Sequence, residues 1–166
     1  VGTDILSIRP VRAGDETALW HILEPTIRAG ETYALDPRMT QEAALAYWLG
    51  ADRETFVLEQ DDGTILGSYY LRANQLGGGA HVCNAAFMTH SAARGKGIAG
   101  RMCEDAVIRA QQHGFRAMQF NFVVATNERA VRLWSRLGFA TVGRIPQAFA
   151  HPTLGLVDAL VMHRFL

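Results

Sequence analysis

Short apolar runs and stretches of helical periodicity alternate along most of the chain. Ile5 to Val11 is apolar-rich, ends near Pro10, and predicts a first strand. Leu19, Ile22 and Leu23 then recur at helical spacing behind Asp15, a residue type that caps helix starts, and Gly30 closes the segment. Thr40, followed by Gln41 and Glu42, opens a second helix through Trp48 and Leu49 that Gly50 stops. Residues 55–60 and 65–71 are strand-like and flank Asp61-Asp62-Gly63, a hairpin turn with glycine in place. A glycine-rich loop spans 74–79, and 81–89 is another apolar strand. Ile98, Met102, Ala106 and Ala110 lie on one face of a helix over 97–113 that Gly114 caps. A strand over 116–124, a helix over 127–137 stopped by Gly138, and strands over 139–145 and 157–165 complete the pattern.

The order β-α-α-β-β-β-α-β-α-β-β predicts an α/β (α+β) fold: a mixed central sheet of about seven strands with helices on both faces. The length of 166 residues suits one domain over 1–166. The strand–helix–strand segment 81–124 reads as a right-handed parallel crossover, the natural place for a ligand. Trp20, Trp48 and Phe139 read as core.

Charge adds exclusions. Lys plus Arg and Asp plus Glu number 16 each, which argues against a dedicated nucleic-acid binder. Cys83 and Cys103 make no disulfide framework and read as buried small residues. The six histidines show no metal-ligand spacing, so no metal is expected. No apolar stretch approaches the ~20 residues that span a bilayer. No leader pattern opens the chain, around Val1-Gly2, so the expected location is the cytoplasm, with no membrane partner.

The candidate chemistry sits at Gly95-Lys96-Gly97-Ile98-Ala99-Gly100, which matches G-x-G-x-x-G. A dinucleotide site needs an acidic residue roughly 20 positions on to hold a ribose, and the strand Met118–Val124 has none. The nucleotide P-loop pattern is absent. A ligand-free turn needs fewer than three glycines and two cations. A pyrophosphate site fits better: small residues admit the ligand, first-turn N–H groups face it, and Arg94 and Lys96 add charge.

Arg94-x-x-Gly97-x-Ala99 resembles the [RQ]-x-x-G-x-[GA] signature of the GNAT acyltransferase superfamily. The block Asn127-x-x-Ala130-x-x-Leu133-Trp134-x-x-x-Gly138-Phe139 is similar to that superfamily's N-x-x-A-x-x-L-[YW]-x-x-x-G-F. The run Phe120-Asn121-x-Val123-x-x-Thr126-Asn127 and the late Val157-Asp158-Ala159 also resemble a branch that acetylates azetidine-carboxylate, a proline analogue. The resemblance implies acetyl-CoA as co-substrate, lying between the fourth and fifth strands. It implies that Phe87, Met88 and Thr89 contact pantetheine, that Gly95 to Gly100 hold the pyrophosphate, and that Asn127 and Trp134 border the thioester arm. A main-chain N–H near Met88 is the expected oxyanion donor. Family habit implies a homodimer.

Two departures from the family pattern follow. Its usual proton-donating Tyr is Trp134 here, and its usual Glu base is replaced by Asn84 and Asn121 on the two strands. These asparagines, with Asn127, become the candidate polar groups at the reacting centre. Arg28, Glu31 and Tyr33, between the first two helices, are the candidate acceptor-binding residues. His151 and Asp158 are weaker base candidates, and His81 and His90 read as loop residues. The expected activity is acetyl transfer to the amine of a small molecule, an amino acid or analogue. The alternatives are a protein N-terminus or Lys as acceptor, and a CoA-binding sensor without catalysis.

Overall fold

A computed structural model describes residues 5–166; the leader reading at Val1-Gly2 lies outside the described residues. The elements are β1 (Leu6–Pro10), α1 (Glu16–Ala29), α2 (Gln41–Trp48), β2 (Glu54–Gln60), β3 (Ile65–Ala73), β4 (Val82–Thr89), α3 (Ile98–Gln112), β5 (Ala117–Val124), α4 (Glu128–Arg136), β6 (Ala140–His151) and β7 (Gly155–Phe165). Short 3-10 turns occupy Gly77–Gly79 and Ser91–Ala93. The sheet has seven strands in the order β1-β2-β3-β4-β5-β7-β6. Only β4 and β5 are parallel; every other pair is antiparallel.

Two cores sit on opposite faces of this sheet. Leu19, Ile22 and Leu23 of α1, with Trp48 of α2, pack on Val57, Ile65 and Tyr70. Met102, Ala106 and Ala110 of α3, with Trp134 of α4, pack on Phe56, Leu58, Tyr69 and Phe120. Strands covered on both sides lose the apolar–polar alternation, which is why β3 is buried from Ile65 to Leu71. Gly67 lies where α3 meets β3. A Cβ there would stand 2.9 Å from Met102 Sδ and 3.0 Å from Ile98 Cγ2.

The local signals act mostly as the sequence predicts. Thr40 accepts from the Ala43 N–H, and Gly30 ends α1 in the left-handed region at φ 63°. Asp15 stands at the start of α1, but its carboxylate is engaged elsewhere. It accepts from Arg9 at 2.8 and 3.0 Å and from the Arg12 N–H at 2.8 Å. The last two strands run longer than predicted, meeting in a hairpin that projects past the sheet. Pro146 hides the strand pattern there, and a bulge between Ile145 and Phe149 absorbs it.

No helix among the described residues is long and apolar enough to cross a membrane.

Candidate active site

The parallel pair β4–β5 is joined at two positions only, Val82 with Ala117 and Cys83 with Met118. Beyond them the strands separate. β5 carries a bulge between Phe120 and Val123 against β7, which turns it away from β4. At the apex the buried Asn84 donates its Nδ2 to the Gln119 carbonyl at 3.0 Å, standing in for the next ladder bond. The result is a wedge in the sheet, continuous with a cavity of about 710 Å³.

Strand parity decides which backbone groups face this wedge. The Val82 carbonyl accepts from Asn74 on the β3 side, while the His81 carbonyl accepts from Arg116 on the β5 side. Even-numbered residues of β4 therefore bond to β3, and Ala85, Phe87 and Thr89 turn their N–H and C=O into the gap. Near Met88, where the oxyanion donor is expected, the Met88 backbone itself faces β3 and the adjacent Phe87 N–H faces the wedge. That N–H is held by Tyr33. Its hydroxyl accepts from Phe87 N at 3.1 Å and donates to Phe87 O at 2.7 Å. Burial pushes the Tyr33 phenol far above its ordinary range, so it stays neutral.

At one end of the cavity, Gly95 and Gly97 have φ values of 81° and 74°, a backbone that L side chains rarely adopt. They turn the chain into α3 so that its first intrahelical bond is Arg101 N–H to Gly97 O. The N–H groups of Ile98, Ala99 and Gly100 are left without helical acceptors. All three residues line the cavity, as do Arg94, Arg129 and Arg136. None of these three arginines forms an ion pair among the described residues. Lys96 stands beside the cradle and outside the cavity wall. Such an end can accept a pyrophosphate. Asn127 begins α4, its Oδ1 accepting from the Ala130 N–H at 3.4 Å, and its side chain borders the same cavity.

Trp134 is buried among Phe87, Phe120 and Phe139, with ring centroids 5.0–6.5 Å away. It floors the wedge, and its indole is no acid.

The opposite end is lined by Glu31, Tyr33, Tyr47, Tyr70, Arg72 and Asn121. The structure therefore brings Glu31, Tyr33, Asn84, Asn121 and Asn127 to one cavity and leaves Arg28 out. Arg28 donates to the carbonyls of Pro37 and Met39 at 2.7 and 2.8 Å and lies over the Trp20 ring. It straps the α1–α2 loop to α1. The amides at Asn84 and Asn121 are not free. Asn84 is spent at the apex, and Asn121 donates to Asn74 Oδ1 at 2.6 Å and accepts from Gln119 Nε2 at 3.0 Å. His151 and Asp158 shape the β6–β7 hairpin. His151 Nδ1 accepts from the Thr153 and Leu154 N–H groups, and Asp158 accepts from Arg144 and from the Gln147 N–H.

Tyr47, Tyr70, Arg72, Arg129 and Arg136 are cavity residues that the sequence reading passes over. Arg72 carried a usable signal: a cation closing an otherwise apolar strand.

Residues 17–139 match the model of the acetyltransferase (GNAT) family. The chain belongs to the GNAT family. It is an acyltransferase with acetyl-CoA as co-substrate. A GCN5-related N-acetyltransferase from Kribbella flavida superposes with a TM-score of 0.92 at 45% identity, covering 97% of this chain and 98% of that one. The N-acetyltransferase aca1 of Schizosaccharomyces pombe is 28% identical over 148 residues, 80% of this chain and 70% of the relative. A phosphinothricin acetyltransferase from Sinorhizobium meliloti, solved with acetyl-CoA, has a TM-score of 0.83 at 22% identity, covering 97% of this chain and 88% of that one, a likeness of fold.

Proposed function

We propose that this enzyme acetylates the amine of a small molecule, an amino acid or analogue, by direct attack on the acetyl-CoA thioester. The observation that carries the reading is the position of the α1–α2 loop. Its Tyr33 reaches across the acceptor side as far as the Phe87 backbone. The chain's own residues thus occupy the side from which an acceptor approaches, leaving space for a compact molecule rather than an extended polypeptide.

In this reading the pyrophosphate rests on the N–H groups of Gly95 to Gly100, with Arg94, Arg129 and Arg136 around it and Lys96 supplying charge from outside the wall. Pantetheine runs along the inward backbone groups of Phe87 and Thr89, past the Met88 side, with Asn127 opposite and Trp134 beneath. The Phe87 N–H, once Tyr33 yields it, holds the thioester oxygen as negative charge develops; one such donor is worth roughly 2.7–4 kcal/mol. The amine lone pair attacks the carbonyl carbon, the C–S bond breaks, and the thiolate leaves. A thiol pKa near ~8.5 makes that group tolerable at neutral pH with water as proton donor. Glu31 is the one carboxylate among the described residues lining the cavity, and it receives the acceptor's ammonium. One proton passes from there to water before attack, and the second passes from the new C–N nitrogen through water to the leaving thiolate. Asn84 and Asn121 hold the wedge's shape beside the reacting atoms.

Thiol release from acetyl-CoA, measured with free amino acids, cyclic imino acids and short peptides, tests the proposal. Turnover with the amino or imino acids is the expected result. Turnover confined to peptide N-termini or lysines would replace it with the protein-acceptor reading. Light scattering tests the accompanying expectation of a homodimer.

A further inference from the structure

Beside the cavity, Arg53 and Arg72 share the single carboxylate of Asp52, and of these three residues Arg72 lines the cavity. Arg53 grips Asp52 with a fork, Nε to Oδ1 at 2.8 Å and Nη2 to Oδ2 at 3.2 Å. Arg72 takes what remains, Nη1 to the same Oδ2 at 3.3 Å, and its Nε reaches Asn84 Oδ1 at 3.4 Å. No other ion pair of either arginine exists among the described residues. The side chain of Arg53 is 7% exposed and that of Arg72 28%, while their shared Asp52 is 59% exposed, a weak counter-charge screened by water. Arg53 Nη1 is buried with no hydrogen-bond partner.

Neither arginine pairs with a second anion; Glu31, the cavity's own carboxylate, forms no ion pair with either among the described residues. Arg53 lies 5.0 Å from the Tyr47 ring centroid and 4.5 Å from that of Tyr70, and both rings line the cavity. Burial pushes the Tyr70 phenol above its ordinary range, so it remains neutral. One positive charge is thus left over where the cavity meets Arg72, and Asn84, fixed at the wedge apex, steadies its guanidinium through Nε. A half-buried guanidinium with an open edge is built for a carboxylate, which it can meet with two parallel N–H···O bonds.

We propose that Arg72 binds the carboxylate of the acceptor, with Arg53 behind the tyrosines reinforcing the charge, so that the enzyme selects free amino or imino acids over neutral amines. This rests on the small-molecule reading above and names the group that the site recognises. Glu31 and Arg72 then receive the two ends of a zwitterion from different segments of the cavity wall.

The test compares kcat/KM for a series of free amino and imino acids with that for their carboxamides, in wild type, Arg72→Gln and Arg72→Lys. Amine basicity differs between acid and amide, but that difference is the same in all three proteins and cancels when the acid-to-amide ratios are compared. In Arg72→Gln the ratio should fall by about 10- to 100-fold, the range for a lost hydrogen bond to a charged group, because acid turnover drops further than amide turnover. Arg72→Lys should recover part of it, as a point charge without the fork. Thermal melting of each variant identifies any that fails to fold, and Arg72→Lys then carries the comparison. An unchanged ratio in a folded, active variant overturns the carboxylate assignment while leaving small-molecule acetylation standing. Turnover of peptides alone in the wild type overturns both.

Discussion

At the end proposed for the phosphates the cavity is walled mainly by one continuous loop entering α3, and what it offers a ligand is chiefly backbone. At the end proposed for the acceptor it is walled by side chains from the α1–α2 loop, α2, β3 and β5. The first end needs glycines at fixed positions and a helix start, both written in consecutive residues. The second needs Arg72, Tyr47, Tyr70 and Glu31 to converge from distant points of the chain. The donor half thus carries a motif and the acceptor half carries none, which lets acceptors change while the donor site stays. Tyr33 joins the halves, being an acceptor-side residue whose hydroxyl holds the Phe87 backbone.

Substitutions can break this division. The largest effect should come from Gly97→Val. A β-branched residue in the left-handed backbone costs about 1–2 kcal/mol and, in the proposed binding mode, places a side chain where phosphate oxygens approach. The KM for acetyl-CoA should rise roughly 10-fold or more with the acceptor KM unchanged, as steady-state kinetics varying each substrate would show. The mirror case is Glu31→Gln, expected to lower kcat/KM for the acceptor by roughly 10-fold while calorimetric acetyl-CoA affinity stays as it was. A change in both constants in either variant would mean that the halves are not separable.

Tyr33→Phe sharpens the comparison because it touches both ends. Removing the hydroxyl frees the Phe87 N–H and C=O for the donor, so the Kd for acetyl-CoA should tighten by about 2- to 10-fold. Weaker binding by calorimetry would place Tyr33 among the donor's own contacts. Asp15→Asn should move neither KM. The bond from Arg9 is the main cause that holds the Asp15 carboxyl below its ordinary range. Its contribution is therefore full above about pH 4 and is lost as pH falls through the depressed native value. The variant should melt lower than wild type near neutrality, and the gap should close in acid.

Much of the fold was legible because its elements are punctuated locally. Gly30, Thr40, Gly63 and Gly114 stand where helices or strands must stop or start, and the periodicity between them is clear. Asp15 was legible as a start signal but not as the partner of Arg9, which reaches it from β1. The β6–β7 hairpin was underestimated because its bulge around Pro146 breaks the two-residue period. Of the site candidates, Gly95, Gly97 to Gly100 and Asn127 were legible as local pattern, and all line the cavity. Arg28 misled, since an arginine in the last turn of a helix looks the same whether it faces a ligand or straps a loop. Asn84 and Asn121 were located correctly, but their bonding partners Gln119 and Asn74 could not be read from spacing.

The sequence by itself pointed to the donor through two local motifs: a glycine loop opening a helix, which places its own N–H groups regardless of what surrounds it, and the Asn127 to Phe139 block whose pattern resembles the GNAT family's. Only the tertiary structure decided the rest. The early parting of β4 and β5, the parity that turns Phe87 rather than Met88 into the gap, and the two guanidiniums sharing Asp52 all depend on contacts between segments distant in the chain. Such contacts follow from packing and register, and no local pattern encodes them.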